Sequence, residues 1–174
     1  MRKYLLPLLF FIVASPLQAQ KLNLEFPGLA EKAREVVDIT LDAQMLKIAS
    51  KFLSATEADE RAVRIIVAKL DGIYVRNYEF DHEGEYDRAL IDRVRTQLGP
   101  SWKKIVNVRS KLKHDAEIYL DMRGEQAMGL LVINTQPRQL TVVNIVGPID
   151  LDQLSQLEGE FGIPKMSKKR GEHE

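Results

Sequence analysis

The sequence contains no cysteine among its 174 residues. This absence excludes disulfide bonds, zinc sites with cysteine ligands and catalysis by a thiol nucleophile. It also excludes a lipid anchor of the kind that is attached to an amino-terminal cysteine. The folded chain must therefore be stabilised by packing alone. Without the leader described below, about 155 residues remain, which is enough for a single domain with its own core.

An excess of positive charge is also missing, because 25 basic residues balance 25 acidic ones. Loss of a leader that carries Arg2 and Lys3 leaves 25 − 2 = 23 basic residues and a net charge of −2. Such a chain has no overall attraction to nucleic acid, and we expect no nucleic-acid partner. The basic cluster in the tail, residues 165–174, is typical of a disordered polar terminus. Its alternative interpretation is weak attraction to an anionic surface.

Patterns typical of catalytic or metal sites are scarce. The three histidines are His82 in a polar turn, His114 in a charged turn and His173 in the tail. The sequence has no Gly-x-Ser-x-Gly nucleophile motif and no glycine-rich phosphate loop. The carboxylates have ordinary surface spacing. We expect no catalytic residue, no metal and no cofactor, and the sequence favours a non-enzyme without excluding an enzyme.

The amino terminus has the pattern of a secretory signal peptide. A basic start at Met1-Arg2-Lys3 precedes an apolar run over residues 4–14, and a small residue, Ala19, follows. We predict a leader over residues 1–19, with cleavage between Ala19 and Gln20, and a periplasmic or secreted protein. An uncleaved membrane anchor is the alternative. It is less favoured because the run is shorter than the roughly 20 residues that span a bilayer and contains Pro7.

Residues 20–164 predict a single α+β domain with helices packed on a mainly antiparallel sheet of about five or six strands. The predicted order is β-α-α-β-α-β-β-β-β-α. Continuous apolar runs over 128–133 and 140–146 are typical of central strands that are covered on both faces. Strand 114–122 alternates instead, with Ile118, Leu120 and Met122 on one side and Glu117, Tyr119 and Asp121 on the other.

Helix starts and ends are predicted from capping residues. Asp42 is expected to cap the first helix, and Asp71-Gly72 to end the second. Gly147-Pro148 is expected to end the last strand, and Asp150 to cap a final short helix. The apolar residues of the first two helices are predicted to face inward: Met45, Ile48, Ala49, Phe52 and Leu53 in the first, and Ala62, Val63, Ile66, Val67 and Leu70 in the second.

Four residues form a candidate interaction surface: Arg76, Tyr78, Trp102 and Arg109. Aromatic and arginine side chains together are typical of interface hot spots. Arg76 and Tyr78 share one side of an aromatic strand, and Arg109 is expected on a nearby strand. A sheet face covered by helices, with Arg76 paired to a carboxylate, is the alternative. For Trp102 the alternative is a plug at a sheet edge with a solvated N–H. Asn144 interrupts an apolar strand and is expected to hold a neighbouring loop.

Two long segments are distinctive enough to indicate a protein family: Leu70–Asp81, reading LDGIYVRNYEFD, and Gln139–Asp150, reading QLTVVNIVGPID. These segments, the position of Trp102 and the ending Leu157–Pro164 resemble the DUF4252 family of exported bacterial proteins. The resemblance covers about residues 29–164. It implies an envelope location and a single α+β domain, and no activity or catalytic residue.

The resulting hypothesis is an exported, non-catalytic interaction module in envelope signalling or maintenance, with an envelope protein as its possible partner. Membrane contact is expected only through an uncleaved leader. A small hydrolase or ligand-binding protein, with a site assembled across the sheet, is the alternative. Oligomerisation through an exposed sheet edge is a third possibility, and the oligomeric state stays open.

Overall fold

The computed structural model describes residues 21–53 and 58–150 of the chain. Nine helices and strands lie in these two ranges: β1 (Glu35–Asp42), α1 (Ala43–Ser50), α2 (Ala58–Val67), β2 (Gly72–Glu79), α3 (Leu90–Arg95), β3 (Trp102–Val108), β4 (Asp115–Arg123), β5 (Gln126–Gln136) and β6 (Gln139–Ile149). Their order is the predicted one. The predicted final helix at Asp150 and the basic tail lie outside the described residues.

The six strands form one antiparallel sheet in the order β1-β2-β6-β5-β4-β3. The predicted α+β class with a mainly antiparallel sheet is confirmed. The two strands with the longest apolar runs, β5 and β6, lie side by side in the middle. This follows from composition, because central strands are covered on both faces and edge strands are not. The outermost strands are β1 and β3.

One face of the sheet, here called the strap face, carries most of the core. An extended strap, residues 21–26, crosses it and buries Leu22, Leu24 and Phe26, while the residues between them are exposed. The side chain of Asn144 on β6 accepts a hydrogen bond from the Leu22 N–H at 3.1 Å. The expectation that Asn144 holds a neighbouring segment is therefore confirmed.

The opposite face, here called the helix face, is covered at one end by α1 and α2. Leu46 from α1 and Leu70 after α2 pack against Leu120, Ala127 and Ile149 of the sheet. Asp42 caps α1 as predicted, because its Oδ1 accepts from the Met45 N–H at 2.8 Å.

The predicted inward face of α1 is wrong. Leu46 and Ser50 are the buried residues, whereas Met45, Ile48, Ala49 and Phe52 are exposed. The helix has apolar side chains on two sides, and Leu46, four residues before Ser50, lies on the side that meets the sheet. The predicted apolar residues do have helical spacing, but they lie on the outer side of the helix, away from the sheet.

Two predicted breaks at glycine are also wrong. Gly72 is the first residue of β2 and does not end α2, whose last residue is Val67. Gly147-Pro148 lies within β6, which continues to Ile149. Gly147 has a φ of +122°, and a side chain there would approach the Asp71 nitrogen to 2.7 Å. The glycine therefore allows close backbone approach at a bulge, where a proline is also tolerated.

Candidate interaction surface

The structure does not place the four predicted surface residues together. Arg76 and Tyr78 are on β2, the second strand of the sheet, whereas Trp102 opens β3 at the opposite edge. Four strand spacings separate β2 from β3, which is about 19 Å. Arg109 follows the end of β3 and is exposed, so it is not on a strand near Arg76.

Arg76 and Tyr78 lie on the strap face, but only Arg76 reaches solvent. The Arg76 guanidinium pairs with Asp38 of β1 at 2.5 Å and also donates to the Thr40 hydroxyl at 3.3 Å. This is the carboxylate pairing that the alternative interpretation anticipated. Tyr78 is buried edge-on against Phe26. Burial raises the pKa of Tyr78 more than the charge of Arg76 lowers it, so the phenol stays neutral.

Trp102 is buried, and its Nε1 has no hydrogen-bond partner among the described residues. The expected solvated N–H at the sheet edge is therefore not observed, although β3 is an edge strand. Its cross-strand neighbour Asp121 is fully buried. Asp121 accepts from Arg123 at 3.1 Å through Oδ2, while its Oδ1 has no partner in the described part of the chain. Trp102 thus belongs to the core.

The densest charged cluster surrounds Glu117 on the strap face. Its carboxylate accepts from Arg95 of α3 at 3.1 Å, from the Tyr119 hydroxyl at 2.7 Å and from Lys104 at 3.2 Å. Burial alone raises the Glu117 pKa, but the hydrogen bonds from Tyr119, Arg95 and Lys104 outweigh it and lower the pKa. A carboxylate held ionised in this way is suited to fix α3 on the sheet and poorly suited to donate a proton.

The Glu117 cluster could not be predicted from the sequence. Alternation correctly separated Glu117, Tyr119 and Asp121 from the apolar side of β4, and polar residues on one side of a strand are typical of a solvated face. No local pattern indicated that α3 and the strap would cover this side as well. Only the tertiary structure brings Arg95 and Lys104 to the carboxylate.

A groove of about 260 Å³ lies between the strap and β2. Its lining includes Lys21, Glu25, Tyr74 and Arg76. The Lys21 ammonium lies 4.5 Å from the centre of the Tyr74 ring. The groove thus presents two cations and one carboxylate, which differs from the converging carboxylates that the hydrolase alternative predicts.

The β1 edge is the least protected part of the sheet. Its eight residues, Glu35-Val-Val-Asp-Ile-Thr-Leu-Asp, contain no proline or lysine, and the β1–β2 register has no bulge. By contrast, β3 contains Lys103 and Lys104, and its register shifts between Lys104 and Val106. Lysines and bulges are the devices by which natural sheets prevent pairing at an edge. β3 therefore has both devices. β1 has neither and is called the unprotected edge here, although its acidic residues Glu35, Asp38 and Asp42 act against pairing with a second copy of itself.

The alternation of hydrogen bonds identifies the backbone groups of β1 that point away from β2. The Phe80 N–H donates to the Arg138 carbonyl, in line with the β2–β6 register. Even-numbered residues of β2 then pair with β6, and odd-numbered residues pair with β1. In the β1–β2 register, Val36, Asp38 and Thr40 lie opposite even-numbered residues of β2. Their N–H and C=O groups therefore point away from the sheet.

Two other kinds of site are absent from the described residues. Within residues 21–53 and 58–150, no group of three or more His, Asp or Glu side chains is arranged to hold a metal ion. No helix in the same ranges is long and apolar enough to cross a bilayer.

A family model named domain of unknown function DUF4252 matches residues 31–157, well over half of the chain. The chain belongs to the DUF4252 family. A comparison with curated proteins finds no match. The matched range starts just after the strap and includes all six strands of this DUF4252 domain, so both the unprotected β1 edge and the Glu117 cluster lie within the part that defines the family.

Proposed function

We propose that this DUF4252 protein is an exported, non-catalytic interaction module of the bacterial envelope that binds a protein partner by strand addition at β1. The observation that supports this proposal most directly is the unprotected β1 edge. The backbone groups of Val36, Asp38 and Thr40 point outward there, away from the sheet. An extended segment of a partner that pairs there gains main-chain hydrogen bonds along the strand. The amino-terminal signal pattern supports export.

The charge of β1 defines the partner segment. β1 carries Glu35, Asp38 and Asp42 and no basic residue. A second copy of the same strand would bring like charges together, which disfavours pairing of β1 with itself. The matching partner is an extended segment with alternating apolar and basic residues. Asp38 already pairs with Arg76 and Asp42 caps α1, so among the described residues Glu35 is the acidic side chain of β1 left for a basic residue of the partner.

The proposal is tested by photo-cross-linking in living cells. A benzophenone amino acid replaces Thr40 on β1 in one strain and Val108 on β3 in the control strain. We expect a protein adduct from position 40, with the cross-linked peptide being a basic, extended segment, and none from position 108. Adducts of equal yield at both positions, or none at position 40, would contradict strand addition.

A matched pair of lysine substitutions tests the edge itself. Val36 and Val108 are comparably exposed valines, at 41% and 50%, on the two opposite edge strands. Val36→Lys adds a charge that repels a basic segment, so the adduct from position 40 should disappear. Val108→Lys should leave it unchanged, and both variants should unfold at the wild-type urea concentration. Persistence of the adduct in the Val36→Lys protein would rule out β1 as the contact.

A ligand-binding role is the second candidate, and the groove between the strap and β2 favours it. Its two cations, Lys21 and the Asp38-paired Arg76, outnumber its one carboxylate, Glu25, which suits a small anionic ligand. Screening the mature protein against anionic metabolites by thermal shift tests this role, because a ligand that binds the folded state raises its unfolding temperature. The shift should vanish in the Lys21→Gln protein. A panel without any shift argues against this role and leaves the β1 proposal intact.

A further inference from the structure

The outer side of α1 carries an apolar stripe that nothing in the described residues covers. Met45, Ile48 and Phe52 are 53%, 45% and 84% exposed. Their spacing of three and four residues places them along one side of the helix and its final turn. Leu46 and Ser50 bury the other side. Three large apolar side chains in one exposed row make this side of α1 a candidate contact surface.

The charges beside this stripe are basic. Lys47 and Lys51 are the only charged residues between positions 43 and 53, and both are exposed. On the neighbouring helix α2, exposed Ile65 lies four residues from exposed Arg61 and four from exposed Lys69. α1 and α2 pack against each other, so the two sets belong to one helical layer.

Between Asp42 and Asp71, which flank it, the helical layer carries a small excess of basic residues. Residues 43–69 contain five basic residues, Lys47, Lys51, Arg61, Arg64 and Lys69, and three acidic ones, Glu57, Asp59 and Glu60, giving 5 − 3 = +2. The three acidic residues fall at or just before the start of α2, in a stretch whose side chains lie outside the described part. The whole chain is neutral, and β1 at the sheet edge is acidic.

We infer that the outer side of α1 and α2 docks onto the surface of an anionic phospholipid bilayer. Phe52, Ile48 and Met45 would enter the boundary between headgroups and acyl chains, while Lys47 and Lys51 contact the lipid phosphates. This is the arrangement of an interfacial amphipathic helix, in which apolar burial and attraction to anionic lipid act together. Membrane docking uses exposed side chains of α1 and α2, whereas strand addition uses backbone groups of β1, so different variants test the two proposals.

The test is co-flotation of the mature protein, residues 20–174, with lipid vesicles. Vesicles of phosphatidylglycerol and phosphatidylcholine in equal parts should carry the protein, and pure phosphatidylcholine vesicles should not. Phe52→Ser should lower the partition coefficient about tenfold. The double change Lys47→Glu and Lys51→Glu should lower it by at least about 25-fold. All variants change exposed side chains, and thermal unfolding checks that they fold.

Matched controls come from the turn after β3. Leu112 is an exposed leucine at 73%, and the neighbouring Lys111 is exposed as well. Leu112→Ser and Lys111→Glu should leave binding unchanged. The basic tail could also attract anionic lipid, so a variant with Lys165, Lys168, Lys169 and Arg170 changed to Gln is included. If that variant abolishes binding while Phe52→Ser has no effect, the tail is the contact and the inference is overturned.

A photo-cross-linker at position 48 identifies the occupant of the stripe directly. We expect adducts with lipid in the presence of phosphatidylglycerol vesicles. Adducts with the chain's own residues 151–174 would overturn the inference and make that segment the cover of α1. Absence of vesicle binding by the wild-type protein, or equal losses in the Leu112→Ser and Phe52→Ser proteins, would overturn it too.

Discussion

Glu117 is the residue whose ionisation contributes most clearly to stability. Its carboxylate accepts from Arg95, Lys104 and Tyr119, and these bonds lower its pKa in the folded protein. A folded pKa below the unfolded value gives stability that is complete above the unfolded pKa and is lost as pH falls through the folded one. We expect Glu117→Gln to cost about 1–3 kcal/mol at neutral pH. The free energy of unfolding, measured with urea at neutral pH, checks this value.

The pH dependence separates this effect from simple damage to packing. The wild-type free energy of unfolding should fall more steeply than that of Glu117→Gln as pH drops below the ordinary glutamate range. The two curves should therefore converge in acid. Glu125→Gln, in the exposed turn between β4 and β5, is the matched control and should follow the wild type. Parallel curves for Glu117→Gln and wild type would show that the Glu117 charge does not stabilise the fold.

Single residues were harder to place from the sequence than strands were. Arg76 was correctly placed beside Tyr78 on one side of β2, because alternation within a strand fixes the side of every residue. Its distance from Trp102 depends on strand order, which alternation does not determine. Burial of Glu117 and Asp121 depends likewise on which segments cover the sheet. A set such as Arg76, Tyr78, Trp102 and Arg109, drawn from distant strands, could not be verified without the topology.

At the scale of the element, α1 is short and depends on its cap. Asp42 ends β1 and accepts from the Met45 N–H, satisfying one of the free donors at the start of the helix. Asp42→Ala should cost about 1 kcal/mol, as is usual for loss of a capping side chain. Asp42→Asn keeps the acceptor and should cost much less. Urea unfolding measures both, and equal losses in the two variants would show that the charge rather than the cap stabilises α1.

The same helix shows the limit of periodicity. The spacing of Met45, Ile48 and Phe52 predicted a helix correctly, but two apolar sides are present and the pattern does not say which one meets the sheet. The break expected at Gly147-Pro148 was wrong for a related reason. A glycine that ends a strand and a glycine that lets Leu70 and Asp71 approach β6 look alike in sequence.

For the whole molecule, the order of elements and the central place of β5 and β6 followed from long apolar runs, which local composition reveals. The position of the strap across the sheet did not follow from the sequence. Leu22 is almost completely buried, and Leu22→Ala should cost about 2–5 kcal/mol. Glu25→Ala, at an exposed position of the same strap, should change stability by less than about 0.5 kcal/mol. A cost below that limit for Leu22→Ala would show that the strap adds no stability.

The strap also limits where the proposed leader could be removed. Cleavage between Ala19 and Gln20 leaves two residues before Leu22, whose N–H is held by Asn144. Cleavage three residues later would remove Leu22 and with it an anchor of the core. If the chain is exported and its leader removed as proposed, we expect the intact mass of the mature protein to correspond to a start no later than Leu22, with Gln20 as the proposed start. A protein made to start at Asn23 should unfold at a lower urea concentration, by an amount similar to the loss in Leu22→Ala. A native start beyond Leu22 would contradict this role of the strap, and a retained leader would contradict the proposed cleavage.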